Sequence, residues 1–302
     1  MSKQGSNHTE TKETWGLQKG KVDAAWIETT IKSFIASPAN SMKNEANEPA
    51  WDEPTIVYSN GADPLYDFYK KDIGSFYVKP LEFMKHTYPN LDLKPQQLTV
   101  ISWVLPQTIA TKRDHRKETQ WPSERWARTR IFGEEVNDDL RKYVVNALVR
   151  QGIEAVAPML SPLWHRATSE KYGFASTWSE RHAAYAAGLG TFGLSDGLIT
   201  SKGKAHRVGS VVANVIITPT VRHYKDHHSY CLFYAKGTCG ACIKKCPAGA
   251  ISEKGHDKEK CSAYLDKTHA YVEAYYGFKG YGCGLCQVGI PCESRIPEGI
   301  EI

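Results

Sequence analysis

Between about Trp51 and Pro219 the apolar positions follow two different rhythms. LTVISWVLP (Leu98–Pro106) is a β-branched apolar run closed by proline and predicts a buried strand. EEVNDDLRKYVVNALVRQG (Glu134–Gly152) places Val136, Leu140, Val144 and Leu148 on one helical face and ends on glycine, which predicts a helix with a glycine stop. IEAVAPML predicts another short strand, and SERHAAYAAGLG (Ser179–Gly190) an alanine-rich helix running into a tight turn. HRVGSVVANVIITP (His206–Pro219) predicts one long strand. Strands alternating with helices predict a layered α/β (α+β) domain over residues 51–222. Residues 1–50 are polar apart from AAWIETTIKSFI and predict an N-terminal arm carrying one helix.

Composition adds a second unit. The chain has 302 residues, more than the usual single domain, with 41% hydrophobic and 24% charged residues, as in globular proteins. No apolar run approaches the roughly 18–20 residues of a membrane span. The polar N-terminus has no apolar export core and no twin arginine, so a cytoplasmic location is expected. A net charge of +5 is too weak to argue for nucleic acid by itself. All eight Cys lie between Cys231 and Cys292, and all eight Trp end at Trp178. That segregation predicts a chemically separate domain over residues 223–302.

The basic stretch KRDHRKETQWPSERWARTR (Lys112–Arg130) has two readings. Arg125, Arg128 and Arg130 form an anion-contact surface, or the stretch is a solvated loop and first helical turn with Trp121 and Trp126 in the core.

The cysteine spacing carries the chemistry. It runs Cys231-x7-Cys239-x2-Cys242-x3-Cys246-Pro247, then Cys261, then Cys283-x2-Cys286-x5-Cys292. A cubane needs four soft thiolates, short spacings let one loop wrap several iron corners, and in two-cluster ferredoxins the Cys before Pro ligates the other cluster. Two 4Fe–4S clusters account for the whole pattern. Paired zinc sites leave the x3-Cys-Pro run unexplained, and a single redox CxxC leaves six Cys over. The interlocking rule gives one cluster Cys239, Cys242, Cys292 and Cys231, and the other Cys246, Cys261, Cys283 and Cys286. Lys236 stands where the regular motif has its first Cys, so Cys231 is the expected donor, with His227 and His228 as competitors. Pro247 is expected to end the loop and AGAI (Ala248–Ile251) to open a helix.

These strings resemble a known superfamily. CGACIKKCPAGAI, KCSAYL around Cys261 and GYGCGLCQ around Cys283 and Cys286 are similar to the ferredoxin module of epoxyqueuosine reductases and reductive dehalogenases. HAAYAAGLGTFGLSDGLIT (His182–Thr200) and RVGSVVANVI resemble stretches of the same proteins, so the likeness runs from about Tyr172 to Pro297. It implies a nitroreductase-like, cobalamin-binding α/β domain followed by a small ferredoxin-like domain. In that family the clusters pass single electrons to a base-off corrinoid. Gly188, Gly190, Gly193, Ser195 and Gly209 are then candidates to line the corrinoid; the glycines also suit a helix stop and a tight turn.

The resemblance has gaps. The acid that donates a proton in epoxyqueuosine reductases falls on Phe174, and the chain ends ten residues after Cys292, where those enzymes carry a tRNA-holding tail. Nucleic acid is therefore not expected as a partner. Dehalogenases use a Tyr with Lys or Arg, which makes Tyr172 and Tyr185 candidate proton donors, with Arg181 or Glu180 as tuning partners. The expectation is a non-exported, corrinoid-dependent reductase of a small-molecule substrate, fed by a donor such as ferredoxin or flavodoxin. The alternative is an electron-transfer or reductive-activation protein that serves a partner enzyme or corrinoid protein.

Overall fold

The computed structural model describes residues 22–301, so the first part of the expected arm lies outside the described residues. The chain opens with α1 (Ala24–Ile35), β1 (Thr55–Asn60), α2 (Pro64–Asp72), α3 (Pro80–Thr87) and β2 (Thr99–Pro106). It continues with α4 (Ile109–His115), α5 (Glu124–Arg150), β3 (Ala155–Val156), β4 (Arg166–Ser169), β5 (Gly173–Ser176) and α6 (Glu180–Ala186). Then come β6 (Gly190–Phe192), β7 (Leu198–Thr200) and β8 (His206–Ala213). The cysteine-bearing segment holds α7 (Leu232–Lys236), α8 (Ala241–Lys244), β9 (Ile251–Ser252), β10 (Gly255–His256) and α9 (Lys258–Tyr276).

The centre is a four-stranded antiparallel sheet in the order β1-β2-β8-β3. Strand β2 pairs with β8 from Thr99↔Ala213 to Pro106↔His206. Ile101, Trp103 and Leu105 of β2 pack with Val211 and Ala213 against Ile27, Ile31, Val136 and Leu140 of α1 and α5. Val100 and Val212 face the other way, onto Tyr66, Phe83, Trp178 and Ala183. Helices thus cover both faces of the sheet. That is why all eight residues of β2 are buried and why the strand reads as a continuous apolar run rather than an alternation. Trp103 fits because Gly209 lies opposite it, where a Cβ would sit 2.5 Å from the indole. Its Nε1 donates to Asn137 Oδ1 at 2.9 Å, so the buried donor is satisfied.

Several expected boundaries move, each for a local reason. Helix α5 begins at Glu124 because Ser123 caps it, its Oγ accepting from the Trp126 N–H. The strand at 153–160 shrinks to Ala155–Val156, and a 3-10 turn follows at Pro158–Leu160, where proline has no N–H for the ladder. β8 stops at Ala213 because the Thr99 hydroxyl takes over: it donates to Val215 O at 2.6 Å and accepts from Ile217 N at 3.1 Å. The helix expected at Ala248–Ile251 does not form. Gly249 turns left-handed (φ +58°) and the chain enters β9 instead.

Candidate metal centre

The eight cysteines stand on short, tight elements. Cys231 precedes α7, Cys242 lies within α8 with Cys246 just beyond it, and Cys261 is in the first turn of α9. Cys283 and Cys286 flank Gly284, whose left-handed backbone (φ +70°) lets the loop lie on Trp126. Cys292 is tied to the entry of β8 by its carbonyl, which accepts from Lys204 N at 2.8 Å. All eight are free thiols.

Their mutual influence links them, and Cys242 is acted on by members of both expected sets, by Cys286 before Cys292 and Cys231. Cys283 is acted on by Cys286, Cys261 and Cys246, and Cys261 by Cys286 and Cys246. Cys292 is acted on by Cys231 and Cys239, and Cys242 by Cys292 and Cys231. The sets adjoin where Cys242 meets Cys286. Burial, then the neighbouring thiols, push Cys242 and Cys261 up to about 11 and Cys283 up to about 12. Thiols so buried and crowded become thiolates when a metal supplies the positive charge. Among the described residues no three His, Cys, Asp or Glu converge tightly enough for a single metal ion. A cubane spreads its thiolates over the corners of a larger body.

Cys246, Cys261, Cys283 and Cys286 line one cavity of about 240 Å³. Its opposite wall comes from the sheet domain: Gln107, Trp126, Arg130, Arg181, His206 and Arg207. Of the basic stretch, only Trp126 and Arg130 reach it. Arg125 pairs with Glu48 and Asp114, and Arg128 with Glu124. Burial, and the charge of Arg207, push Arg130 down to about 10. Trp126 is core, and Trp121 stacks on Tyr264 and Tyr271.

The other sequence candidates are scattered. Tyr172 is 43% exposed and donates to Asp72 Oδ2 at 2.7 Å. Tyr185 stacks on Tyr224 with centroids 5.0 Å apart. Neither lines the thiol cavity. Glu180 is committed to Arg141, 3.1 Å away, while Arg181 donates to Asp196 O. Gly188 is a left-handed helix stop (φ +86°), and a Cβ on Gly190 would lie 2.0 Å from Ile199 O. Gly193 closes a turn through its N–H to Gly197 O, and Gly209 accommodates Trp103. These four glycines are accounted for by the chain's own packing. Ser195 lies beside Cys286 and accepts from Lys204 Nζ at 2.9 Å. His228 Nδ1 bonds Phe192 O and its ring stacks on Tyr234, whereas Cys231 neighbours Cys292.

Sequence reasoning missed three features. Lys204 is buried among the thiols, yet it sits in a polar SKGKAHR run that reads as an exposed turn. Glu293 is clamped by Arg116, whose Nε lies 3.0 and 2.8 Å from its two oxygens. Gln107 Oε1 and His206 Nδ1 are buried beside the cavity without partners among the described residues. None of these leaves a mark in spacing or periodicity.

The family of 4Fe–4S double cluster binding domains matches residues 237–290. This segment is similar to a double-cluster module. Over 119 residues the chain is 31% identical to the epoxyqueuosine reductase of Bacillus anthracis, covering 37% of this chain and 29% of that protein. Over 129 residues it is 34% identical to the epoxyqueuosine reductase of Francisella cf. novicida (strain Fx1), covering 40% and 34%. The chain therefore spans about a third of the length of these curated relatives, and over that stretch the superfamily resemblance of its motifs stands. An epoxyqueuosine reductase solved with an epoxyqueuosine-modified tRNA-Tyr stem loop aligns over 91% of this chain and 67% of its own, at 17% identity and TM-score 0.44. A catabolic reductive dehalogenase solved with 3-bromo-4-hydroxybenzoic acid aligns over 91% and 37%, at 11% identity and TM-score 0.48. Both are likenesses of chain path too loose to carry function. The expectation against a nucleic-acid partner finds no support. Among the described residues no helix is long and apolar enough to cross a membrane.

Proposed function

We propose that the chain is an iron–sulfur oxidoreductase that passes electrons singly through two 4Fe–4S clusters to a substrate reduction. One observation carries the proposal: eight buried or half-buried thiols lie between Cys231 and Cys292, over a stretch similar to 4Fe–4S double cluster binding domains. Cys231, Cys239, Cys242 and Cys292 hold one cluster, and Cys246, Cys261, Cys283 and Cys286 the other. When bound, the clusters supply one-electron carriers with potentials somewhere between roughly −700 and +450 mV. The protein's own work is to bury the thiolates, exclude water and balance charge. Arg130, Arg181 and Arg207 face the second set, and Lys204 lies against members of both. Similarity to epoxyqueuosine reductases supports a reductase; a carrier such as ferredoxin or flavodoxin is the donor proposed for it.

The residues implied for a corrinoid do not fit one. The four glycines are used internally, and Ser195 is bonded to Lys204. No step is therefore routed through a corrinoid. Tyr172 is engaged by Asp72 and Tyr185 is stacked on Tyr224, which favours a second reading, an electron-transfer protein with the reducing site on a partner.

The test is anaerobic reconstitution with iron and sulfide, an iron count, and EPR of the reduced protein, followed by desalting from hydroxocobalamin. About eight irons per chain supports the proposal, and a content near zero overturns it. A retained corrinoid band would restore the cofactor the glycines do not support. Turnover of an epoxyqueuosine-bearing stem loop or of a halogenated aromatic separates the substrate classes. Electron delivery to a partner with neither turned over favours the second reading.

A further inference from the structure

Lys204 is a buried cation that the electron-carrying role leaves unexplained. It is 2% exposed, and its ammonium has one hydrogen-bond partner among the described residues, Ser195 Oγ at 2.9 Å. Its stem lies in a groove left open by Gly197, where a Cβ would come within 2.6 Å of the lysine Cδ. An ammonium taken out of water requires a counter-charge, and the groups that act on it are Cys292, Cys286, Cys242 and Cys231 rather than carboxylates. Three of these belong to the first thiol set and Cys286 to the second. Ser195 adds a bridge, since its hydroxyl meets both the ammonium and the Cys286 thiol.

We infer that Lys204 is a positioned positive charge between the two clusters, which holds both at higher reduction potentials than their thiolates alone would give. The inference rests on the two-cluster reading. Reduction adds negative charge to a cluster, and a nearby cation stabilises the reduced form. One lysine acting on members of both sets raises both potentials together. Ser195 directs part of that effect to the cluster held by Cys286.

The experiment is a potentiometric titration followed by EPR on reconstituted wild-type protein, Lys204→Met and Lys204→Arg, each with its iron count. Lys204→Met keeps length without charge and is expected to move both reduction waves to lower potential at unchanged iron. Lys204→Arg is expected to stay near wild type. Unmoved waves in Lys204→Met at full iron overturn the inference, and so does a Lys204→Arg shift equal to that of Lys204→Met. Should Lys204→Met fail to hold iron, Ser195→Ala takes its place, because it keeps the charge and every thiol. The wave of one cluster is then expected to fall, and two unmoved waves overturn the inference. Wild-type protein without iron would instead sink the cluster reading itself.

Discussion

All eight residues of β2 are buried and helices cover both faces of its sheet, whereas α9, 19 residues long, buries only Thr268 and Val272. The buried cluster nearest the thiols is Leu194, Ile199, Tyr230 and Ile251 with Cys231 and Cys242, so sulfur stands where the sheet domain has aliphatic and aromatic carbon. The sheet domain removes enough apolar surface from water to hold itself together, at roughly 25 cal/mol per Å². The thiol segment buries less carbon, and on the two-cluster reading it should depend on its metal, as small metal-bound domains do.

The sharpest way to break this contrast is to remove the iron. Chelation under reducing, anaerobic conditions should expose residues 223–301 to protease while residues 22–222 stay protected, read by limited proteolysis with mass spectrometry. Equal protection of both parts would mean that the thiol segment stands without metal. Next in size is the loss of one ligand. Cys283→Ala should reduce iron from about eight to about four per chain and leave the other cluster's EPR signal in place. Loss of all iron would show that the two thiol sets do not fill independently.

A carbon deletion in the sheet domain should do the converse. Trp103 is 0% exposed, and Trp103→Ala removes an indole that fills the space over Gly209 and satisfies Asn137. A loss of about 3–5 kcal/mol in folding stability is expected, with the iron count unchanged at low temperature. Iron falling in parallel with stability would merge the two regions into one cooperative unit.

How far sequence could see depended on which kind of order was at work. β2 was readable because both of its faces are covered, and the cysteine module because cubane chemistry needs thiolates at short spacing. Helix α5 began earlier than its apolar period suggested because Ser123, a cap, decided the start. The long strand from His206 was cut by one hydroxyl, Thr99, more than a hundred residues away. The glycines of the AGLG stretch had two readings, and the atoms they lie against, Val221 O and Ile199 O, are brought close only by folding. Lys204 looked like a surface lysine for the same reason.

The seam between the regions gives smaller effects. Glu293 fixes the Cys292 loop to the sheet domain through Arg116 and braces the loop itself by accepting from Gly289 N at 2.6 Å. Burial pushes its carboxyl up, but the Arg116 and Gly289 hydrogen bonds outweigh that and hold it below the usual range. Glu293→Gln should cost about 1–3 kcal/mol, measured by thermal melting, and should loosen iron from the Cys292 set first. Simultaneous loss from both sets would place the clamp under the whole segment.

The smallest effect is one of pH. His115 is 0% exposed, its ring stacks 4.2 Å from that of Trp126, and its Nδ1 accepts from Ser123 N at 3.2 Å. Burial pushes it from the ordinary 6.5 down to about 3, so the folded protein holds it neutral where the unfolded chain takes a proton. Its contribution is whole above about pH 6.5 and drains as pH falls toward 3, because in that window the unfolded state binds more protons. Between pH 7 and pH 5.5 the loss should be about 1 kcal/mol. His115→Phe keeps the stack on Trp126 and removes the titration, so its melting temperature should fall less over that range than the wild type's, at equal iron content. Parallel pH curves would show that His115 is not the acid-sensitive group and would leave His182 and His206, which burial also holds down, as the sheet domain's candidates. A flatter His115→Phe curve would show that the sheet domain contributes a titrating group of its own, at the tryptophan on which the Cys283–Cys286 loop rests.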